Sequence, residues 1–467
     1  MKAMRIAAVV CISLPCFFAP LPAVPDARGA PPRVEYVVAA DKSALNGEWR
    51  SVVDALAKKH RAKTVRFDGV RGLPGILPEL RRIRPKYVCF VAKPEVVGRD
   101  FVVAASRVLR HIDDDPYGDA IWGIVTGYSA RDALNVVRAP LSRKVRSIAT
   151  SMGGDGTLDG WESGFASDER SADNFWIKRR GGACVKIRTG GNVAKAYADA
   201  FNSMPVDYFM TSGHASERNW QIIYNKNDGM LEHTDKAGLR FVEPGGARHD
   251  LKRASLKVYL GVGNCLIGHV DSPACMATAW IHAAGVEQFA GYTVPSWYGF
   301  MGWGVAWLYS KGRYSLPEAR YLENQRAIWA LSGKPSPLDR KGLVYDRDTF
   351  AFYGDPCQRI VFPVDAMPYT VKIDGGTVKV DFVKDCEFPP LDDVKNARPI
   401  MSLLDKAPPG DAVFDEKGRI VPGAVLTERF VFIPAPGIHK RGESLGFQIG
   451  KSHRQRERLA HRSGTVP

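Results

Sequence analysis

The sequence predicts an α/β protein: a mostly parallel sheet with helices on both faces, making three α/β/α layers. A smaller α/β subdomain precedes this unit, and a small β-sandwich-like domain follows it. Three observations carry the prediction. From Arg33 to about residue 331, short apolar β-runs alternate with amphipathic helical stretches, the pattern of strands joined by helical crossovers. After about residue 357 the helical period stops, and short alternating strands separated by turn residues take over. The 467-residue chain is 45% hydrophobic and 25% charged, a globular composition with length for two or three cores.

In order, "VEYVVAA" reads as a buried strand, "GEWRSVVDALAKKH" as an amphipathic helix and "KTVRFDG" as a strand. "GILPELRRIRP" reads as helix, "KYVCFVA" as strand and "GRDFVVAASRVLRHI" as helix. "DAIWGIVTGYS" and "ARDALNVVRAPL" add a strand and a helix, and the first subdomain spans residues 30–140. Over 141–356 the same grammar repeats through the strands "VRSIATSMGG", "VDYFMTSG", "LKVYLGVG" and "EQFAGYTV". The helices between and after them are "NVAKAYADAFNS", "PACMATAWIHAAG", "WGVAWLYSKG" and "SLPEARYLENQRAIWAL". Residues 357–447 form the β-domain, with "DGGT" as a hairpin turn inside "YTVKIDGGTVKVDFV". Residues 448–467 form a basic tail without an apolar face.

The first 29 residues read as a secretory signal, a basic start followed by an apolar stretch that prolines at 15, 20 and 22 keep too short to span a membrane. The expectation is an exported protein, secreted or at a periplasmic or cell-surface location, with no stable membrane span. In that setting the six cysteines left after Cys11 and Cys16 are candidates for pairing, with Cys357 and Cys386 as the expected bridge. The net charge of +15 gives a basic face, but no basic stretch interleaves with aromatic residues, so a nucleic-acid partner is not expected.

Two β-runs end in chemistry-bearing residues. "PVDYFMTSGHASE" reaches His214 after Gly213, and "KVYLGVGNCLIGHVD" reaches Cys265 after Gly263. In a parallel sheet the C-terminal strand ends share one edge, where ligand sites form. A thiol and an imidazole brought together there suit nucleophilic catalysis, and the glycines permit sharp turns that bare backbone N–H groups. A rival reading takes Cys265, His269 and Cys275 as zinc ligands, although Cys-x3-His-x5-Cys is not a common spacing. "DGTLDGWES" has the look of a structural calcium loop, but the twelfth position of an EF-hand count is Ala166. Trp297 and Tyr298 are candidates for a pocket wall.

The histidine motif "GHASE" at 213–217 and the cysteine motif "VYLGVGNCLIG" with the following "DSPACMATAWIHAAG" resemble the caspase-like cysteine peptidase clan, and in it the gingipain-type family. "QFAGYTVPSWYGFMGWG", "DDDPYGDAIWGIVTGYSARDAL" and "FAFYGDP" resemble further segments of that family. The resemblance implies a caspase-like three-layer fold and a cysteine endopeptidase acting on protein or peptide substrates, with no organic cofactor required. It assigns Cys265 as nucleophile, His214 as proton carrier and the N–H groups of Cys265 and Ala215 as oxyanion donors. It also implies a pocket carboxylate for a basic substrate side chain, with Asp159 and Glu162 as the nearest candidates. This chain departs from the pattern at Ala215, where the family has glycine, at Met152, where it has glutamate, and at Tyr128, where it has arginine. Ala215 and Met152 motivate a second reading, a catalytically inactive caspase-like binding protein.

Overall fold

A twelve-stranded sheet forms the spine of the protein. The structure is a computed structural model that describes residues 35–224, 229–252, 255–296, 300, 302–394 and 396–452. The expected signal sequence and most of the basic tail therefore lie outside the described residues. The strands of the large sheet are β1 (Tyr36–Asp41), β2 (Lys63–Phe67), β3 (Tyr87–Val91), β4 (Ile121–Val125), β5 (Ser147–Thr150) and β6 (Ser163–Asp168). They continue with β7 (Ser171–Lys178), β8 (Cys184–Arg188), β9 (Tyr208–Thr211), β10 (Val258–Gly261), β11 (Gln288–Tyr292) and β12 (Phe350–Tyr353). Their spatial order is β2-β1-β3-β4-β12-β11-β10-β9-β5-β6-β7-β8. The pairs β1–β2, β1–β3, β3–β4, β5–β6, β5–β9, β9–β10 and β10–β11 are parallel. β12 runs antiparallel to β11 and touches β4 through one registered pair, Tyr353 with Ile124.

The helices are α1 (Trp49–His60), α2 (Leu77–Ile83), α3 (Arg99–Val108), α4 (Ala130–Arg138), α5 (Val193–Ser203), α6 (Met276–Ala284), α7 (Trp303–Ser310), α8 (Leu316–Ser332) and α9 (Pro337–Thr349). Local sequence explains their limits. Ser129 and Asp132 form a capping box at the start of α4, as Ser315 and Glu318 do for α8, and Gly285 ends α6 in the left-handed conformation. Two buried clusters lie on opposite faces of the central strands. Phe209, Tyr259 and Phe289 belong to the cluster that holds the apolar faces of α1 to α6, whereas Tyr208, Leu260 and Ala290 belong to the one that holds α7, α8 and α9. Successive strand residues point to opposite faces, so this division is what a sheet between two helical layers produces.

Most predicted elements lie within two or three residues of those observed. The sequence reading missed β6, β7 and β8, which carry the sheet past β5, and the helix α9. It also missed a four-stranded antiparallel sheet, 219–221, 230–233, 239–242 and 248–250, inserted between β9 and β10. The residues expected as separate segments 30–140 and 141–356 contribute strands to one sheet. After β12, strands 369–374, 377–382, 412–414 and 444–450 form one antiparallel sheet, and 400–403, 425–426 and 430–433 form another. Tyr369 joins the two, its hydroxyl accepting from the Met401 N–H at 3.0 Å. The expected Cys357–Cys386 bridge is not formed, and the six described cysteines are free. Cys357 packs against the cluster of α1 to α6 and Cys386 against that of α7 to α9, so two different cores hold the thiols.

The end of β12 is pinned by Asp355, which is fully buried. The Tyr36 hydroxyl donates to its Oδ1 at 2.8 Å, His60 Nε2 lies 2.7 Å from Oδ2, Lys59 Nζ lies 3.1 Å from Oδ2, and the Cys357 N–H donates at 3.1 Å. The Tyr36 and His60 rings stack at 4.0 Å. Burial raises the carboxyl pKa, but the hydrogen bond and charge of His60, with Lys59 and Tyr36, outweigh it and hold Asp355 below its ordinary value. Its contribution is therefore fully present above about pH 4, the unfolded carboxylate range, and is lost as the pH falls through the depressed value. Asp355→Ala leaves two bases facing an empty buried position, and we expect a loss of about 3–5 kcal/mol in urea unfolding at pH 7. The difference from the parent should narrow below about pH 4; equal stability at pH 7 would show that this contact does not hold the strand.

Candidate functional site

β9 and β10 are parallel neighbours, and their last paired residues are Thr211 and Gly261. The Val262 N–H adds one more rung to the Thr211 carbonyl at 2.8 Å. Both chains then turn away at glycine, Gly213 at φ 102° and Gly263 at φ 73°, conformations that side chains disfavour. His214 and Cys265 follow within two residues, so the structure brings the two predicted groups to adjacent strand ends on one edge. The histidine turn is held from three sides. The Ser212 N–H donates to Ser151 Oγ at 2.9 Å, the Ser212 carbonyl accepts from Trp220 Nε1 at 2.7 Å, and the His214 carbonyl accepts from the Gln221 N–H at 2.8 Å.

His214 is exposed and Cys265 half-buried. The imidazole stacks on Tyr224 at 4.8 Å between centroids, with 12° between the planes. The Cys265 sulfur accepts from the Ser296 N–H at 3.3 Å and lies 3.7 Å from the Ser296 hydroxyl, on the loop after β11. Among the described residues no hydrogen bond joins His214 to Cys265. In unliganded sites such catalytic contacts are often long and tighten only around a substrate. The N–H groups of Ala215 and Cys265 have no acceptor among the described residues, which leaves two donors available to a bound oxygen. Ala215 is not in the left-handed region, so the methyl that replaces glycine's hydrogen brings no backbone strain there. That conformation falls instead on Leu266, at φ 56°, whose N–H donates to the Val294 carbonyl at 3.1 Å.

The remaining predicted residues separate. Glu162 precedes β6 at the opposite, N-terminal edge, 3.3 Å from Arg146 and 2.5 Å from Arg180, beside a cavity of about 390 Å³. It is therefore remote from the strand ends that carry His214 and Cys265, because β5 and β6 are parallel and Glu162 stands at the start of one of them. Asp159 is exposed in the turns that lead to Glu162, and Asp155 accepts from Trp176 Nε1 at 3.0 Å, so the loop read as calcium-like is held by protein contacts. Met152 is half-buried two residues past β5, the strand beside β9. Trp297 and Tyr298 lie outside the described residues. Cys275 caps α6 with its thiol beside Thr278, and His269 lines a cavity of about 420 Å³ with Gly98 and Arg99. Burial, then the Arg99 charge, push His269 below its usual pKa. Among the described residues no three His, Cys, Asp or Glu side chains converge as metal ligands, so Cys265, His269 and Cys275 are not brought together as a zinc set.

Four residues at this edge were not singled out in the sequence: Tyr224, Asn264, Ser296 and Glu169. Glu169 sits in the tight turn past the C-terminal end of β6, and its carbonyl accepts from the Tyr224 N–H at 2.8 Å. Its Oε2 is buried with no hydrogen-bond partner among the described residues. A shielded carboxylate oxygen without a donor is costly unless a ligand supplies one. The signal that could have exposed it is the "SDER" turn between two β-runs, which marks a hairpin at that edge.

No family model matches the sequence, and no curated protein matches it. A search of solved structures finds the Arg specific cysteine proteinase gingipain R (RGPB), with a TM-score of 0.37 and 10% identity, over 90% of this chain and 98% of that one. At that identity and score the likeness assigns no activity and no residue to this chain. Among the described residues no helix is long and apolar enough to cross a membrane.

The cysteine environments differ enough to be read chemically. Burial pushes the Cys89 and Cys275 thiols up, and pushes Cys357 up to about 12, so few of them are thiolate at neutral pH. With a small neutral alkylating reagent at pH 7.5, we expect Cys265 to react at least about tenfold faster than these three in peptide mapping. Equal rates would contradict the burial described here.

Proposed function

We propose that this protein is an exported cysteine endopeptidase of caspase-like fold, acting through Cys265 and His214. The observation that carries the reading is the register of β9 against β10, which sets a histidine turn and a cysteine turn side by side at one sheet edge. The "GHASE" and "VGNCLIG" motifs support it from the sequence. In the reaction, the Cys265 thiol gives its proton to His214 as Sγ bonds to the substrate carbonyl carbon, and the Ala215 and Cys265 N–H groups donate hydrogen bonds to the developing oxyanion. The C–N bond then breaks, His214 delivers a proton to the leaving amine, and a thioester remains. Water then attacks the thioester carbon as His214 takes its proton, the C–S bond breaks, and His214 returns that proton to sulfur, freeing the acid and the thiol.

For substrate preference we assign a basic side chain before the cleaved bond, with Glu169 rather than Asp159 or Glu162 as its carboxylate partner. The unpartnered Oε2, on a residue whose backbone carbonyl accepts from the Tyr224 N–H, supports that choice. The second reading, a non-catalytic binding protein, is favoured by one observation: the sulfur is engaged with Ser296 and the imidazole with Tyr224.

A fluorogenic peptide library separates the two. Cleavage should fall about 10³-fold or more in Cys265→Ala and in His214→Ala. Glu169→Gln should lower kcat/KM for Arg and Lys peptides by about 10–100-fold, the range for a lost charge-assisted hydrogen bond, and Glu162→Gln should not. A parent protein that cleaves no library member and forms no adduct with a thiol-reactive peptide would favour the binding reading.

A further inference from the structure

Asn264, the residue before the cysteine, is fully buried and spans the gap that opens where β9 and β10 part. Its Nδ2 donates to the Gly213 carbonyl at 2.9 Å, and its Oδ1 accepts from Thr211 Oγ1 at 2.7 Å. The Thr211 hydroxyl also lies 2.7 Å from the Tyr259 hydroxyl. These contacts have one consistent direction. A carbonyl only accepts, so the amide nitrogen must face Gly213, and the amide oxygen then faces Thr211. Thr211 spends its single proton on that oxygen, so Tyr259 donates to Thr211. Burial holds the Tyr259 phenol protonated, as a donor must be. Room for the side chain comes from Gly261, where an added Cβ would meet Ile267 Cγ2 at 2.7 Å and Asn264 Oδ1 at 3.2 Å.

The consequence is that three successive carbonyls of the histidine turn, at Ser212, Gly213 and His214, are each held by a different donor: Trp220, Asn264 and Gln221. Of the three donors, Asn264 alone stands on the cysteine turn. We propose that Asn264 is the positioning residue of the site, and that its amide replaces the missing backbone rung and holds the His214 turn in register with Cys265. This inference rests on the Cys265–His214 reading above. Asn264 touches neither sulfur nor imidazole; it acts by orienting the two peptides that carry them, including the Ala215 and Cys265 N–H groups.

Asn264→Asp tests this with almost no change in volume, because it removes the donor to Gly213 and sets a carboxylate oxygen against that carbonyl. Asn264→Ala removes both contacts. The readout is the pH dependence of Cys265 alkylation by a neutral reagent, from pH 5 to 9, in full-length parent, His214→Ala, Asn264→Asp and Asn264→Ala, with each variant's melting temperature beside it. We expect the parent profile to differ from that of His214→Ala, and both Asn264 variants to follow His214→Ala while still melting cooperatively. If the parent hydrolyses peptides, kcat should fall at least tenfold in Asn264→Asp with a much smaller change in KM. A folded Asn264→Asp or Asn264→Ala with the parent's alkylation profile would overturn the proposal. Coincident parent and His214→Ala profiles would overturn it as well, since no pair would exist to position. A parent that cleaves no peptide, yet whose profile depends on both His214 and Asn264, would remove the peptidase reading and support the positioning role.

Discussion

Parallel strands that end in register face a common difficulty: each must turn away, and the carbonyls and N–H groups beyond the last rung still need partners. Here the ends of β9 and β10 meet that constraint, and the candidate site is what results. Glycines at 213 and 263 take the turns. Trp220, Asn264 and Gln221 take the three carbonyls of the histidine turn, and Ser151 takes the Ser212 N–H. What stays without a partner among the described residues is a pair of donors, the Ala215 and Cys265 N–H groups, while the thiol is engaged by Ser296 and the imidazole stacks on Tyr224. A region that satisfies its carbonyls internally and leaves its donors open is suited to an incoming oxygen with negative charge.

The elements around this edge supply the rest of the environment. β11, next to β10, brings Ser296 against the sulfur, while β5 and β6, beyond β9, bring Met152 and Glu169. The insertion between β9 and β10 returns Trp220 and Tyr224 to the histidine turn, so the residues that separate the two motifs in sequence also fix one of them in space. At the opposite edge, the Asp355 cluster ties the end of β12 to α1, and Glu162 joins Arg146 and Arg180. The two edges differ: one carries buried or paired charge, the other carries the Ala215 and Cys265 N–H groups without acceptors among the described residues.

In the resting arrangement the thiol is turned toward Ser296 and the imidazole lies on Tyr224. Both are weak, reversible contacts between a side chain and a neighbouring loop. Rotation of either side chain leaves the strand register unchanged, so the spacing of the two turns is set by the sheet and not by these contacts.

Alternation of apolar runs and helices and the glycines before His214 and Cys265 were legible in the sequence, because each depends on neighbours within a few positions. The same local signals were weak in β6 to β8: "SGFASD" is largely buried yet carries one large apolar residue, and the edge strand "CVKIR" is mostly exposed. Which carboxylate stands at the edge of His214 and Cys265 was not legible: Glu162 and Glu169 flank one strand seven residues apart, and the parallel pairing of β5 with β6 decides which end lies at that edge. Asn264 was invisible for a related reason, since its partners Thr211 and Gly213 are about fifty residues away in the chain. The sequence by itself determined the strand ends and the groups they carry; tertiary structure alone decided which ends are neighbours and which buried donors hold them, because hydrogen bonds across a sheet depend on register rather than on distance along the chain.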